Sequence, residues 1–306
     1  MSRKSRFSGL LRLVSVAGAL IGTAVILFGD PTSGWPPPHA VAQSDTATVG
    51  LVPDHDSEPD LAGLLETAKR IKMSDALPGL AIGAAEYTAF GIRLHVFDFT
   101  QADYTLRVVE QKSASGSPAA KFLEGEDDVF AINGGFFERA FDGTLSPSGL
   151  LIANGVATSR EHQRAGSGII YSDADGVAIA YRKQLRGNSR IENAVQVGPI
   201  LVDPGGQKGI YKNTFDRFNR SAICLRDGLF TAFVVEGGIS LFQFADLLSL
   251  AVADGGFGCN IAINLDGGPS TQAVLRAGKT WREVLGGTTV QNGLVISKKP
   301  PATQND

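Results

Sequence analysis

The feature that most constrains this chain is how briefly its apolar residues run. From about residue 81 onward they come in short β-branched or aromatic stretches that stop in glycine, asparagine or aspartate, and 37 of the 306 residues are glycine. Glycine costs roughly 1 kcal/mol against alanine in a helix interior, so chain punctuated this often suits short strands joined by tight turns. Strands are expected over 92–99, 104–109, 130–137, 221–225, 229–235, 260–265 and 294–297, with Asn154-Gly155, Asp175-Gly176 and Asp227-Gly228 as hairpin turns. Two segments carry helical signals instead. Over 60–73, Leu61, Leu64, Leu65, Ala68 and Ile71 share one helical face. Over 241–252 the chain is apolar enough to be buried, and Ser240 with Gln243 forms a capping box before it. The expected fold is α+β: a mixed, largely antiparallel β-sheet core flanked by a few helices, in a single domain over 81–298 with a tail at 299–306.

The N-terminus reads as an export signal. Arg3, Lys4, Arg6 and Arg12 precede an uncharged apolar run over 13–28, and Ala40-Val41-Ala42 offers a small-residue cleavage site before Gln43. Residues 1–42 are thus a signal peptide or an N-terminal anchor, and cleavage near Ala42 is the expected outcome. Membrane contact is expected only through this segment, and the domain is expected in the periplasm or outside the cell. Residues 43–80 read as a polar linker ending in the first helix. The formal charge is −3, and loss of four cations and Asp30 with the leader makes it −6. A nucleic-acid partner is excluded on that ground, because phosphate backbones are bound by clustered positive charge. Cys224 and Cys259 are the only cysteines; their pairing as a disulfide or burial as two thiols are both open.

Several catalytic signatures fail on spacing. Gly278-Lys279-Thr280 ends like a phosphate-binding loop, but Ala273 occupies the first glycine position. Asp173, Asp175 and Gly176 echo a calcium loop whose first and last ligand positions are here Tyr171 and Arg182, so this is a hairpin. No G-x-S-x-G elbow accompanies His95 or His162, which disfavours a serine hydrolase. No cofactor motif is evident, and the sequence leaves a divalent metal open.

What remains is four glycine-rich strand ends carrying polar residues: Asn133-Gly134-Gly135 after an apolar strand, Val197-Gly198-Pro199, Asn219-Arg220-Ser221-Ala222, and Asn264-Leu265-Asp266-Gly267-Gly268-Pro269-Ser270-Thr271. Each alone is an ordinary turn. Together and in this order, with the Glu236-Gly237-Gly238 segment and its helix between the last two, they resemble the phosphodiester glycosidase family over roughly residues 85–298.

The resemblance implies hydrolysis of a sugar-1-phosphodiester, with a sugar-phosphate or glycan as substrate. Under it, Arg220 is the phosphate-binding candidate, since a guanidinium fork matches phosphate oxygens. Asp266 stabilises an oxocarbenium-like transition state or activates water, and Glu236 is its partner carboxylate. Asn133, Ser221 and Ser270 supply polar contacts, while Gly134, Gly267 and Gly268 allow close backbone approach. Two other readings stand beside this one: an envelope protein that binds a glycan or anionic polymer without turnover, and a phosphodiesterase that cuts the P–O bond.

Overall fold

The computed structural model describes residues 69–72, 83–111, 114–185, 190–277 and 280–300. The leader, the linker and most of the first expected helix lie outside them. An eight-stranded sheet dominates, in the order Lys69–Lys72, Gly83–Ala89, Ile92–Thr100, Leu229–Ile239, Phe218–Arg226, Ile261–Asn264, Ile200–Asp203, Gln207–Lys208. A five-stranded sheet runs Thr280–Val284, Ala273–Ala277, Asp128–Asn133, Asn292–Lys298, Tyr104–Glu110, and a second runs Gly176–Tyr181, Gly168–Asp173, Asn193–Val197, Leu151–Ala153, Val156–Ser159.

Every pairing in these sheets is antiparallel, so the sheet core is not mixed as expected. Nor do the described residues hold several α-helices. Among the described residues the one α-helix is Leu241–Ser249, accompanied by short 3₁₀ turns, and the molecule is a β-rich fold in place of the expected α+β one. Of the helix expected over 60–73, the described part, Lys69–Lys72, is a strand paired with Gly83–Ala89. The second helix starts where the capping box places it, with Ser240 accepting from the Gln243 N–H. It stops at Ser249, three residues early, because the following chain bends through Gly255, Gly256 and Gly258 toward Cys259.

Strand alternation explains the core. On one face of the large sheet Phe97, Phe99, Phe230 and Val234 meet Leu106, Phe130, Ile132 and Ile296 of the first small sheet and Leu151, Ile170 and Val195 of the second. The aromatic centre is tight: Phe99 stacks on Phe230 at 5.5 Å and Phe97 lies 4.8 Å from Phe130. The other face carries the helix, with Phe233, Val235 and Cys224 against Phe244, Leu247 and Leu248.

Cys224 and Cys259 form a disulfide, with Cα atoms 5.7 Å apart across 35 residues. It ties the end of the post-helix loop to a central strand. Closing a loop of this length limits the unfolded chain by about 3–4 kcal/mol. Replacing both cysteines by serine is therefore expected to lower stability by that amount, read as a drop in urea midpoint; no change would show that the bridge carries no stability.

Candidate active site

The four glycine-rich segments meet at one end of the large sheet. Asn133 ends its strand fully buried, its Nδ2 donating to the Asp266 carbonyl at 2.7 Å and its Oδ1 accepting from the Ser221 hydroxyl at 2.7 Å and the Gln272 N–H at 3.1 Å. The Asp266 N–H donates to the Gly134 carbonyl at 3.0 Å, and the Leu265 N–H to the Ser221 carbonyl at 2.8 Å. The Gly198-Pro199 segment joins through Asn264, whose N–H donates to the Pro199 carbonyl. One side-chain amide thus fastens the first, third and fourth segments to one another.

Glycine is required at two of these turns for different reasons. A Cβ on Gly134 would stand 2.1 Å from Asn292 Oδ1, so the close approach there is to a buried asparagine of the neighbouring strand. Gly237 sits at φ +87, where its Cβ would strike the Gly91 carbonyl at 2.1 Å. Gly268, by contrast, faces open space.

Arg220, still within the strand Phe218–Arg226, and Asp266, just past the end of Ile261–Asn264, stand one position beyond the bonded pair Ser221 and Leu265. Arg220 Nη1 lies 3.5 Å from where a Cβ on Gly267 would be, so the guanidinium borders the loop that begins at Asp266. Its hydrogen bonds go to main-chain carbonyls, from Nε to Ile239 and from Nη2 to Asp216, both at 3.3 Å, and it lies 5.2 Å from the Phe218 ring centre. Among the described residues no carboxylate lies within ion-pair distance of it. Burial lowers the guanidinium from its usual value, with Asp216 acting the other way. Asp266 is half-buried, and desolvation pushes its carboxyl up to about 6 against hydrogen bonds from the Ser270 hydroxyl and the Gly267 N–H.

Glu236 stands farther across the same sheet end, two strands from Asp266. His95 Nε2 donates to its Oε2 at 2.9 Å, and Arg93 Nη1 to the same oxygen at 3.4 Å. Glu86 completes the group, 3.4 Å from Arg93 and 3.7 Å from His95 Nδ1. These four side chains line a cleft of about 310 Å³ together with Arg282, Glu283 and Leu285. Of the residues expected at the site, Arg220, Asp266, Gly267 and Ser270 gather in one place, with Gly268 opening outward beside them. Asn133 and Ser221 are buried behind that place and direct their polar atoms into the protein.

Sequence reasoning missed the Glu86, Arg93 and His95 surround of Glu236. Alternation along 92–99 puts Arg93, His95 and Phe97 on one face, but only the pairings Glu86 with His95 and Arg93 with Glu236 reveal what that face meets. Among the described residues no group of three or more metal-ligating side chains is assembled.

On this β-rich scaffold, Arg220, which has no carboxylate partner among the described residues, thus lies beside a carboxyl of raised pKa. The phosphodiester glycosidase model matches residues 126–297, more than half of the sequence, and the chain belongs to that family. Among solved structures it is similar to the zebrafish N-acetylglucosamine-1-phosphodiester alpha-N-acetylglucosaminidase catalytic domain auto-inhibited by its pro-peptide, with a TM-score of 0.51, 16% identity, and coverage of 80% of this chain and 86% of that one. A Synechocystis protein matches with a TM-score of 0.46, 17% identity, and 71% and 62% coverage. A Burkholderia pseudomallei protein matches with 0.47, 14%, and 71% and 74%. At 16% identity the likeness to the zebrafish domain is one of fold. No curated protein matches the chain.

Proposed function

We propose that the protein is an exported hydrolase that cleaves a sugar-1-phosphodiester at the glycosidic bond, acting outside the cytoplasm on a glycan or cell-envelope substrate. The observation that carries this reading is Arg220, a guanidinium held by carbonyls and, among the described residues, without a carboxylate partner, beside Asp266. Family membership supports the reaction class. The basic, apolar leader and the disulfide support an oxidising compartment beyond the membrane. Among the described residues no helix is long and apolar enough to cross a membrane, and contact with one is assigned to the N-terminal segment. No cofactor or nucleic acid enters the scheme.

In the reaction water adds at the anomeric carbon, the bond from that carbon to the phosphate oxygen breaks, and a phosphomonoester leaves. A phosphodiester carries one negative charge, whereas a monoester has a second pKa near ~6, so charge grows on the phosphate as the bond breaks. Arg220 meets that charge with two aligned N–H groups. Asp266, ionised, either stabilises the positive charge developing on the sugar or activates the water. Glu236 serves proton transfer at the same end of the sheet.

Hydrolysis in oxygen-18 water tests the bond assignment. Label in the released sugar supports glycosidic cleavage; label in the phosphate would make the protein a P–O phosphodiesterase, and saturable binding with no release would make it a binding protein. Arg220→Lys keeps the charge but loses the fork. It is expected to raise KM for the phosphodiester by about tenfold or more, as the loss of one charge-assisted hydrogen bond implies, with the melting temperature little changed. An unaltered KM would remove Arg220 from the phosphate site.

A further inference from the structure

We propose that His95 is a positioning residue for the reaction: it holds the Glu236 carboxylate through Nε2 and so fixes the direction in which Glu236 meets substrate in the cleft. This rests on the glycosidase reading and on Glu236 having a role in it.

The geometry is specific. His95 sits on the central part of the sheet, only 7% exposed, on the face that Glu86 and Glu236 share. A carboxylate oxygen only accepts, so His95 presents its Nε2–H to Glu236 Oε2 at 2.9 Å. Arg93 reaches the same oxygen. Among the described residues no hydrogen bond reaches Glu236 Oε1, which leaves one oxygen of a carboxylate held by two donors for chemistry in the cleft. Glu86 acts one step back, within 3.4 Å of Arg93 and 3.7 Å of His95 Nδ1, so it restrains both donors.

A purely structural role explains this poorly. The Glu236 side chain is 35% exposed and stands near the end of its strand, and ion pairs that open to water contribute little to stability. Burying an imidazole to hold such a group returns little to the fold. Orienting a reacting carboxylate is a different matter, because a misplacement of about 1 Å can cost on the order of a hundredfold in rate. The cleft, lined on the other side by Arg282 and Leu285, is where that orientation has a consequence.

The test uses the full chain and the methyl diester of a hexose-1-phosphate as probe. His95→Gln places an amide N–H where Nε2 stands; His95→Leu removes the donor, and His95→Asn, whose amide reaches only the Nδ1 position, replaces it if the leucine variant fails to fold. The expected result is a fall in kcat of at least about tenfold in the donor-less variant with KM unchanged, and recovery to within about threefold of wild type in His95→Gln. In a Glu236→Gln background, His95→Leu should add no further loss, as residues acting through one another do. Wild-type kcat per folded molecule in the donor-less variant, with Glu236→Gln impaired, overturns the proposal and spares the glycosidase reading. An inert wild type, or full activity in Glu236→Gln, defeats that reading, and the proposal with it.

Discussion

Asp266→Asn is expected to lower kcat by at least about a hundredfold, the usual scale for losing a positioned acid-base or charge-stabilising group, while leaving the fold intact. The amide oxygen still accepts from the Gly267 N–H, and the backbone of residue 266 stays pinned by Gly134 and Asn133. Only the charge is lost. The wild-type pH profile follows from the same group. If the ionised carboxylate acts on the sugar carbon, kcat/KM rises with pH through about 6, the value to which burial pushes Asp266. The stability effect has the opposite direction. A carboxyl whose folded pKa is raised from 3.8 to about 6 contributes stability that is complete below 3.8 and lost as pH rises through 6. At neutral pH the asparagine variant should therefore melt no lower than wild type. Single-turnover hydrolysis and thermal unfolding on the same preparations check both halves. Wild-type turnover in the folded variant removes Asp266 from catalysis, and a large loss of stability would mean that it serves the fold.

The second large effect falls on stability. Asn133→Ala deletes a fully buried amide and leaves the Ser221 hydroxyl, the Gln272 N–H and the Asp266 carbonyl without their partner. Each stranded buried group costs about 1–3 kcal/mol, and because the losses are not additive the expected total is about 3–5 kcal/mol. Asn133→Asp should be no rescue, because it keeps the acceptor but turns a second carboxylate oxygen toward the Asp266 carbonyl. Urea unfolding measures both variants; a loss under about 1 kcal/mol for the alanine would show that the three segments hold together without the clamp. Its consequence for activity is indirect, through the position of Asp266.

The route from sequence to site was uneven for physical reasons. Asn154-Gly155 and Asp227-Gly228 turn where their dipeptides place them, since φ at all four residues is positive, as such turns demand. The 175–176 hairpin is displaced by one residue, with Gly176 opening the next strand. The capping box at Ser240 and Gln243 was equally legible, because its partners are three residues apart. The helical stripe over 60–73 misled at its described end. Lys69–Lys72 satisfies its backbone against Gly83–Ala89, and a ladder with a neighbouring strand outweighs a weak local preference. Likewise the run over 130–137 divides, as Asn292 pins Gly135 at 2.7 Å and turns the chain out of the sheet.

By itself, then, the sequence determined what depends on near neighbours: the short strands, their turns, the start of the helix, and a set of motifs whose order marks the family. It also put forward Arg220 and Asp266 as candidates, since a cation and an acid at glycine-rich strand ends are visible in one dimension. Tertiary structure alone decided that Asn133 and Ser221 bond to each other behind the site, and that Glu236 is gripped by His95 and Arg93. Those contacts join residues 88 and more than 140 positions apart. Local periodicity tells which residues share a face of one strand, but the register between distant strands tells which faces meet. That register follows from burying the whole apolar core in one arrangement.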